Sequence, residues 1–242
     1  MSDASIRYQD YLEKNLKISY QNIISNYEHF LNDFPLDGKV VLDIGAGQGL
    51  FANFLATHKN VKKVVALDEY EGHGSDINTY QIMRDLSQIT KPEIIDIVKT
   101  DFKDYQTNKK FNAIFAINAM HHIVNTKENL IKNKEIFDAS VKLFSKIRDL
   151  LAPEGIFMMQ DVCRWNFSFI PYYIRQNRII DWETKHNPGK WVACLAAAGF
   201  KDIKIRYHTP RPFRKVPLHY LLFNHYFVSI FLSSIYSIKA NI

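Results

Sequence analysis

The sequence predicts a doubly wound α/β fold, in which helices cover both faces of a mostly parallel sheet. Short apolar runs recur along the chain, separated by segments with helical periodicity. The first run, VVLDI at 40–44, leads directly into a glycine-rich loop, GAGQG at 45–49. Strands that alternate with helices indicate parallel pairing, because a parallel connection crosses the sheet and usually does so through a helix. With 47% hydrophobic residues, the 242-residue chain can also build a sizeable core.

The predicted elements follow from these patterns. Apolar residues at mixed helical spacing between 5 and 31 predict one or two amphipathic helices that end before Pro35, so residues 1–37 form a helical cap on a domain over 38–242. The predicted strands are 40–44, 61–68, 93–101, 111–118, 155–162 and 201–208, and the clearest helices are 50–58, 127–152 and 187–200.

Composition narrows the functional class only slightly. Cys163 and Cys194 lie far apart, without the spacing of metal ligands or a disulfide framework. The first residues lack the apolar core of a secretory signal, so we expect a cytoplasmic protein. A net charge of +6 is weak support for nucleic-acid binding and fair support for some anionic partner. No convincing metal-ligand cluster stands out, and oligomeric state is not predicted.

The glycine loop has the features of a nucleotide-type cofactor site. Its glycines stand at 45, 47 and 49, and Asp43 precedes the first by two positions. Glycines let the backbone approach a ligand closely, and the following helix offers free amides. Asp68 ends the second strand 19 residues after Gly49, where a carboxylate can accept hydrogen bonds from ribose hydroxyls. At the tip of the third strand, TDF at 100–102 sets an acid beside an aromatic ring that could contact an adenine.

In their order along the chain, VLDIGAGQG, VVALDEY, TDF, FNAIFAINAMHHI and LLAPEGIFMMQDV resemble the class I S-adenosylmethionine-dependent methyltransferases over residues 38–208. The resemblance implies a Rossmann-like sheet of seven strands, the seventh antiparallel, with S-adenosyl-L-methionine as cofactor. The cofactor-binding residues that it implies are Asp43, Gly45, Ala46, Gly47, Gly49, Asp68, Glu69, Asp101, Phe102 and Asn118. One departure is Asn112, where the family usually begins strand four with Asp; we expect this to affect packing.

A second group of polar residues follows strands four and five. NAMHHI places His121 and His122 just beyond strand four, and MMQDV places Asp161 at the end of strand five. Histidine supplies a general base with a pKa near neutral pH, and a carboxylate behind it orients the ring. The set resembles that of sugar O-methyltransferases. Adjacent residues on an extended segment point in opposite directions, so we expect only one of the two histidines to reach the substrate. We favour His121 as the base with His122 packing, and the reverse assignment stays open. A purely structural role for both histidines is the alternative.

Residues 163–187 are rich in aromatics and arginines. We interpret them as a substrate cover in which Trp165, Tyr172 and Arg175 contact the acceptor, with a packed surface helix as the alternative. For RPFRK at 211–215 we favour a solvated turn; in the alternative, Arg211 and Arg214 meet a phosphate, a nucleotide-sugar or an anionic membrane surface.

The tail from 216 to 238 contains no charged residue and so raises the question of a membrane anchor. The family's fold requires a seventh strand, which SSIYSIKAN at 233–241 suits. The remaining apolar stretch is short for a span and includes two histidines and an asparagine. We therefore expect 211–232 to hold a helix inserted between strands six and seven, on the substrate side or on the inner membrane surface.

The leading hypothesis is methyl transfer to a hydroxyl of a small molecule, a sugar or a nucleotide- or lipid-linked glycan precursor. The alternatives are an N-methyltransferase of a small amine, which needs no His-Asp pair, and a cofactor-binding protein without catalysis. Nucleic acid is disfavoured as a substrate. No N/D-P-P-Y/F motif ends strand four, and neither cysteine lies in the P-C or T-C context used to attack a pyrimidine.

Overall fold

A computed structural model describes residues 2–70, 78–163, 184–208 and 235–242. It forms two units, residues 1–116 and 117–242.

The first unit opens with the predicted helical segment. Helix α1 (Asp3–Asp10) continues through a π-helical turn (Tyr11–Asn15), and α2 (Tyr20–Leu31) follows. Each α-helix begins at a serine, Ser2 or Ser19, whose side chain accepts a hydrogen bond from a backbone amide in the first turn. The hydroxyl of buried Tyr8 donates to the Leu50 carbonyl oxygen at 2.8 Å, and this bond ties α1 to the helix after the glycine loop.

The rest of the first unit alternates strands and helices. Its elements are β1 (Val40–Ile44), α3 (Leu50–His58), β2 (Lys63–Asp68), α4 (Thr79–Ile89), β3 (Ile95–Lys99) and β4 (Phe111–Ile117), whose last residue belongs to the second unit. β1 pairs in parallel with β2 and β4, and β2 pairs in parallel with β3. The interiors of β1, β2 and β4 are buried and, apart from Asp43 in β1, apolar, as expected for strands covered on both faces.

The second unit contains the antiparallel part of the sheet. Its elements are α5 (Met120–Val124), α6 (Lys134–Leu150), β5 (Leu151–Val162), α7 (Pro188–Ala197), β6 (Lys201–Tyr207) and β7 (Ile235–Asn241). β7 lies between β5 and β6 and is antiparallel to both. The prediction of an antiparallel seventh strand near 233–241 is confirmed.

Within the described residues, seven strands form one sheet in the order β3-β2-β1-β4-β5-β7-β6. The order reverses at β1, since β2 and β3 extend to one side of it and β4 lies on the other. Doubly wound sheets bind ligands beyond the carboxyl ends of their strands at such a reversal. The glycine loop, which leaves the carboxyl end of β1, therefore starts at the expected ligand crevice, and the predicted fold class is confirmed.

Several element boundaries differ from the prediction by a few residues, and the largest difference is at the start of α6. The helix expected over 127–152 covers Lys134–Leu150, and β5 begins at Leu151. Asn133 sets the start, because its side chain accepts a hydrogen bond from the Ile136 amide at 3.3 Å. Pro153 sets the end, because a proline disfavours helical backbone in the residue before it.

The family departure at Asn112 has a packing role. Its side-chain oxygen accepts a hydrogen bond from the Val40 amide at 2.9 Å and so joins the starts of β4 and β1. An Asp carboxylate could accept the same bond.

None of the helices in the described ranges is both long enough and apolar enough to cross a membrane. The predicted inserted helix at 211–232 and the substrate cover up to residue 183 lie outside the described residues.

Candidate functional site

The glycine loop is fixed to the end of the neighbouring strand. The amides of Gly45 and Ala46 both donate to the Leu67 carbonyl oxygen, at 2.8 and 3.1 Å. Gly45, Gly47 and Gly49 all have left-handed backbone conformations, with φ of 70°, 52° and 75°. Left-handed backbone is readily adopted only by glycine, so the spacing of the three glycines follows from the path of the loop.

Two of these glycines serve different purposes. A Cβ added to Gly49 would overlap the sulfur of Met83, so this glycine lets α4 pack closely on the start of α3. A Cβ added to Gly47 would meet no atom of the described residues within 4 Å. The space beside Gly47 is therefore open to a ligand.

The carboxylate of Asp68 is oriented by the backbone around it. Its Oδ2 accepts from the Gly47 amide at 2.9 Å and its Oδ1 from the Tyr70 amide at 2.8 Å. A carboxylate can accept about four hydrogen bonds, so each oxygen keeps capacity for a hydroxyl donor. The position fits the predicted contact with a ribose.

Asp43 is a buried carboxyl that lacks a full set of partners. It is 2% exposed, and its Oδ2 has no hydrogen-bond partner among the described residues. Burial, reinforced by the negative charge of Asp68, raises the pKa of the Asp43 carboxyl to about 7. A buried carboxylate without partners is unfavourable, so the site suits a cationic ligand. S-adenosylmethionine carries a positively charged sulfur and an ammonium group, and the residues present fit it.

The structure gives the positions of the residues predicted to contact the adenine, but less information on their roles. Asp101 lies in the turn after β3, where its Oδ1 accepts from the Lys103 amide at 2.8 Å. The ring of Phe102 is 2% exposed and so is largely covered, while Glu69 is exposed. The contacts of these three residues with the cofactor stay predictions.

In the second unit, Asn118 follows the end of β4. Its side chain is exposed, its φ is 54°, and its amide donates to the Gln160 carbonyl oxygen at 2.8 Å. Asparagine tolerates left-handed backbone better than most residues. Its place beside the transferable methyl group is likewise a prediction.

The structure brings His121 and Asp161 together. His121 Nδ1 lies 2.9 Å from Asp161 Oδ1, and the two side chains are 1% and 0% exposed. The approach is close but lacks hydrogen-bond geometry, so His121 Nδ1 and Asp161 Oδ2 have no hydrogen-bond partner among the described residues. Asp161 Oδ1 accepts from the Val162 amide at 2.7 Å. His122 is exposed, and its ring centroid lies 4.0 Å from that of His121. The segment differs from the extended one expected, because both histidines lie in the short helix α5. In a helix, successive side chains diverge by about 100° rather than pointing in opposite directions, and the two rings therefore touch.

A third residue completes this group and was missed from the sequence. Lys185 Nζ contacts His121 Nε2, and Lys185 is only 7% exposed. Lys185 stands in a polar run, TKHN, directly before α7, a pattern that favours a solvated turn. Its contact with a residue 64 positions away has no local signal in the sequence. We call Asp161, His121 and Lys185 the buried triad.

The remaining predicted site residues are not tested. Trp165, Tyr172, Arg175, Arg211 and Arg214 lie outside the described residues. Within the described ranges, no three histidine, cysteine or acidic side chains are grouped as metal ligands would be.

Comparison of the chain with known proteins identifies related proteins. A model of the methyltransferase domain matches residues 17–205. The (S)-coclaurine N-methyltransferase of Papaver somniferum is 24% identical over 150 residues, which are 62% of this chain and 36% of that protein.

Solved structures share the fold at low identity. One is phosphoethanolamine N-methyltransferase 2 of Haemonchus contortus in complex with S-adenosyl-L-methionine, with a TM-score of 0.64, 16% identity, and coverage of 99% of this chain and 57% of that one. Another is an S-adenosylmethionine-dependent methyltransferase from Archaeoglobus fulgidus, with a TM-score of 0.60, 16% identity and coverage of 95% and 97%. The chain thus spans little more than half of the first of these proteins and matches about a third of the curated relative.

The match to the domain model covers most of the chain, the strand order is the expected one, and the loop after β1 has the required glycines and acids. The chain belongs to the methyltransferase-domain family, as a member of the class I S-adenosylmethionine-dependent group.

Proposed function

We propose that this chain transfers a methyl group from S-adenosylmethionine to a hydroxyl group of a small molecule, with His121 as the general base and Asp161 as the residue that orients it. The observation that carries the proposal is the buried contact of His121 Nδ1 with Asp161 at 2.9 Å. A hydroxyl holds its proton tightly and benefits from a base, whereas an amine that arrives neutral needs none.

The first unit supplies the cofactor site in this proposal. Asp43 and the loop from Gly45 to Gly49 hold the methionine part, and Asp68 holds the ribose. When bound, S-adenosylmethionine supplies a methyl group on a positively charged sulfur. The loop's fixed backbone and the oriented Asp68 carboxylate position that group without rearrangement, which is how much of a displacement reaction is accelerated.

The second unit supplies the proton acceptor. In this proposal the His121 ring turns slightly, so that Nδ1–H donates to Asp161 Oδ1, which lies 2.9 Å away, and the lone pair of Nε2 is the basic site. As the acceptor hydroxyl forms its new bond to the methyl carbon, its proton moves to His121 Nε2, and the electron pair of the breaking carbon–sulfur bond stays on sulfur. The imidazolium that forms is stabilised by Asp161.

The sequence supports a narrower proposal for the chemical class of the acceptor. The aromatic and arginine-rich segment at 163–187 and the basic RPFRK at 211–215 favour a sugar or a glycan precursor linked to a nucleotide or lipid. The peripheral membrane contact through 211–232 and the cytoplasmic location stay part of this proposal.

The second candidate is methylation of a small amine. The relatives named above as N-methyltransferases of coclaurine and phosphoethanolamine favour it, at 24% and 16% identity. The two candidates differ in their need for a base, so replacement of the His-Asp pair separates them.

The test is a screen of sugars, nucleotide-sugars, lipid-linked sugars and amines with methyl-labelled cofactor. On the best acceptor, His121→Asn and Asp161→Asn are expected to lower kcat by about 100-fold or more, the usual range for loss of a general base. His122→Asn tests the neighbouring ring, and a larger loss there than in His121→Asn would make His122 the base. Unchanged turnover in His121→Asn and Asp161→Asn would favour the amine reaction.

The cofactor part has a separate test by calorimetry. Asp68→Ala is expected to weaken S-adenosylmethionine binding by about 10-fold or more, because it removes two charge-assisted hydrogen bonds. Asp96→Asn, on the neighbouring strand β3 and paired at the surface with Lys63, is the control. No binding by the wild type, or equal binding by Asp68→Ala, would contradict the proposed cofactor site.

A further inference from the structure

The buried triad is a continuous row of charged and polar groups. Asp161, His121 and Lys185 are 0%, 1% and 7% exposed, so exposure rises from the acid to the lysine. Lysine is rarely this deeply buried without a polar partner. The two residues that follow Lys185 also make hydrogen bonds that hold this segment in place. The carbonyl of His186 accepts from the Tyr236 hydroxyl at 3.0 Å, and Asn187 Oδ1 accepts from Cys163 Sγ at 3.2 Å.

The contacts determine which nitrogen of His121 carries the proton. A lysine ammonium group can only donate hydrogen bonds, so His121 Nε2 must be the acceptor toward Lys185. This assigns the ring proton to Nδ1, which lies 2.9 Å from Asp161 Oδ1 without hydrogen-bond geometry. It is the tautomer that the proposed reaction needs.

The same contact creates a conflict for that reaction. His121 Nε2 has one lone pair, and Lys185 uses it in the structure. An acceptor hydroxyl can give its proton to Nε2 only after the ammonium group has turned away. Once the proton has moved, an imidazolium would also lie beside an ammonium, and two like charges at short range repel strongly.

We propose that Lys185 is an acceptor-binding residue, whose ammonium group leaves His121 Nε2 for an anionic oxygen that the acceptor carries beside the hydroxyl to be methylated. This inference rests on the proposed function and names its substrate class: hydroxyl compounds with a neighbouring phosphate or carboxylate. The anion holds the ammonium group, frees Nε2 for the hydroxyl, and offsets the charge of the imidazolium that forms. A neutral acceptor would do none of these three things.

Binding of an anion can be measured without any methyl transfer. Inorganic phosphate is titrated calorimetrically into the full chain saturated with S-adenosylhomocysteine. We expect the wild type and Lys185→Arg to bind phosphate, and Lys185→Met to bind it about 10- to 100-fold more weakly, as for loss of a charged hydrogen bond. Lys201→Met, which removes an exposed cation from β6 of the same unit, is the control and should bind like the wild type.

Nitrogen NMR of the histidine rings reports on the proposed exchange directly. The chain has nine histidines, and His121 is assigned by its absence in His121→Asn. In the wild type, Nε2 should show the shift of an unprotonated nitrogen that accepts a hydrogen bond, and phosphate should change it. In Lys185→Met the shift should be that of a free imidazole nitrogen with or without phosphate.

A matched series of acceptors then tests the substrate class and separates its two sources. A sugar, its phosphate and its uronic acid are compared by kcat/KM. The wild type should prefer one of the charged forms by about 10- to 100-fold, and Lys185→Met should lose that preference. Which charged form is preferred decides between phosphate and carboxylate.

Equal phosphate binding by the wild type and Lys185→Met, with equal binding of S-adenosylhomocysteine, would overturn the inference. So would a Nε2 shift that phosphate leaves unchanged in the wild type. Neither result bears on methyl transfer itself, so the proposed function would stand or fall separately.

Discussion

Asp43 shows how a single carboxyl can link protonation to cofactor binding. Its raised pKa, about 7 against an ordinary 3.8, follows from burial and from the charge of Asp68. Between about pH 4 and pH 7 the folded protein keeps a proton that the unfolded chain has lost. The stability of the cofactor-free protein therefore falls as the pH rises through this window and levels off above it, by at most about 4 kcal/mol.

We predict that Asp43→Asn removes this pH dependence. At pH 8 the cofactor-free variant should be more stable than the wild type, because its buried side chain is never charged, and yet it should bind S-adenosylmethionine more weakly. Wild-type affinity for the cofactor should itself fall below about pH 7, as Asp43 becomes protonated. Denaturant unfolding across pH and calorimetry measure the two effects. Parallel stability curves for Asp43→Asn and the wild type would rule this account out.

Some contacts between single residues could be predicted from the sequence and others could not. Asp43, Asp68 and the three glycines could be predicted because the motif and its spacing lie in local sequence. The contact between His121 and Lys185 could not, because it depends on where two segments 64 positions apart meet in the fold.

At the scale of elements, the glycine loop combines two requirements that a motif alone does not separate. A Cβ at Gly47 would meet no atom of the part of the chain that the structure describes, whereas one at Gly49 would overlap the Met83 side chain of α4. Both have positive φ, so an alanine at either position is strained by about 1–2 kcal/mol.

We predict that one alanine variant mainly loses stability and the other mainly loses cofactor binding. Gly49→Ala should lose more stability than Gly47→Ala, because its new Cβ also displaces the Met83 sulfur. Gly47→Ala should mainly weaken cofactor binding, since its Cβ enters the open space. Thermal unfolding and calorimetry on both variants provide the comparison, and each variant is the control for the other. Equal stability losses would show that the Met83 contact is relieved without cost.

Strands and helices were predicted well where one pattern dominated a segment. The run 40–44 and the helix 50–58 match β1 and α3 residue for residue, because the glycines between them end one pattern and begin the next. Helix α5 was missed because five residues are too few to show helical periodicity.

The insertion between β6 and β7 can be removed by design. The His208 amide donates to the Ile235 carbonyl oxygen at 2.9 Å, and Tyr207 pairs with Tyr236 across the two antiparallel strands. The residues that flank segment 209–234 are therefore already close enough to be joined by a hairpin turn.

We predict that replacing 209–234 with an Asn-Gly turn leaves a folded chain that binds S-adenosylmethionine but no longer methylates its acceptor. A two-residue turn of this kind suits the twist of paired strands. Circular dichroism, calorimetry and the label-transfer assay report the three properties. Undiminished methyl transfer would show that this segment is not part of the acceptor site. If the shortened chain still pelleted with membranes, the segment would not be responsible for membrane contact.

In the whole molecule, most of the residues proposed for the cofactor and those proposed for the acceptor belong to different units. The proposed cofactor acids and glycines lie within 1–116, whereas Asn118 and the buried triad lie within 117–242. Each half can therefore be tested by its own ligand, the cofactor for one and an anion for the other.

The strand order also governs how the second unit folds. Among the described strands, β5 and β6 are not neighbours; β7 joins them and follows both in the sequence. Until β7 docks, β6 therefore has no partner among these strands and β5 keeps an open edge. Unpaired edges of this kind invite aggregation. The pairing of β7 therefore closes the exposed edges of the second unit, and aggregation is most expected before that step.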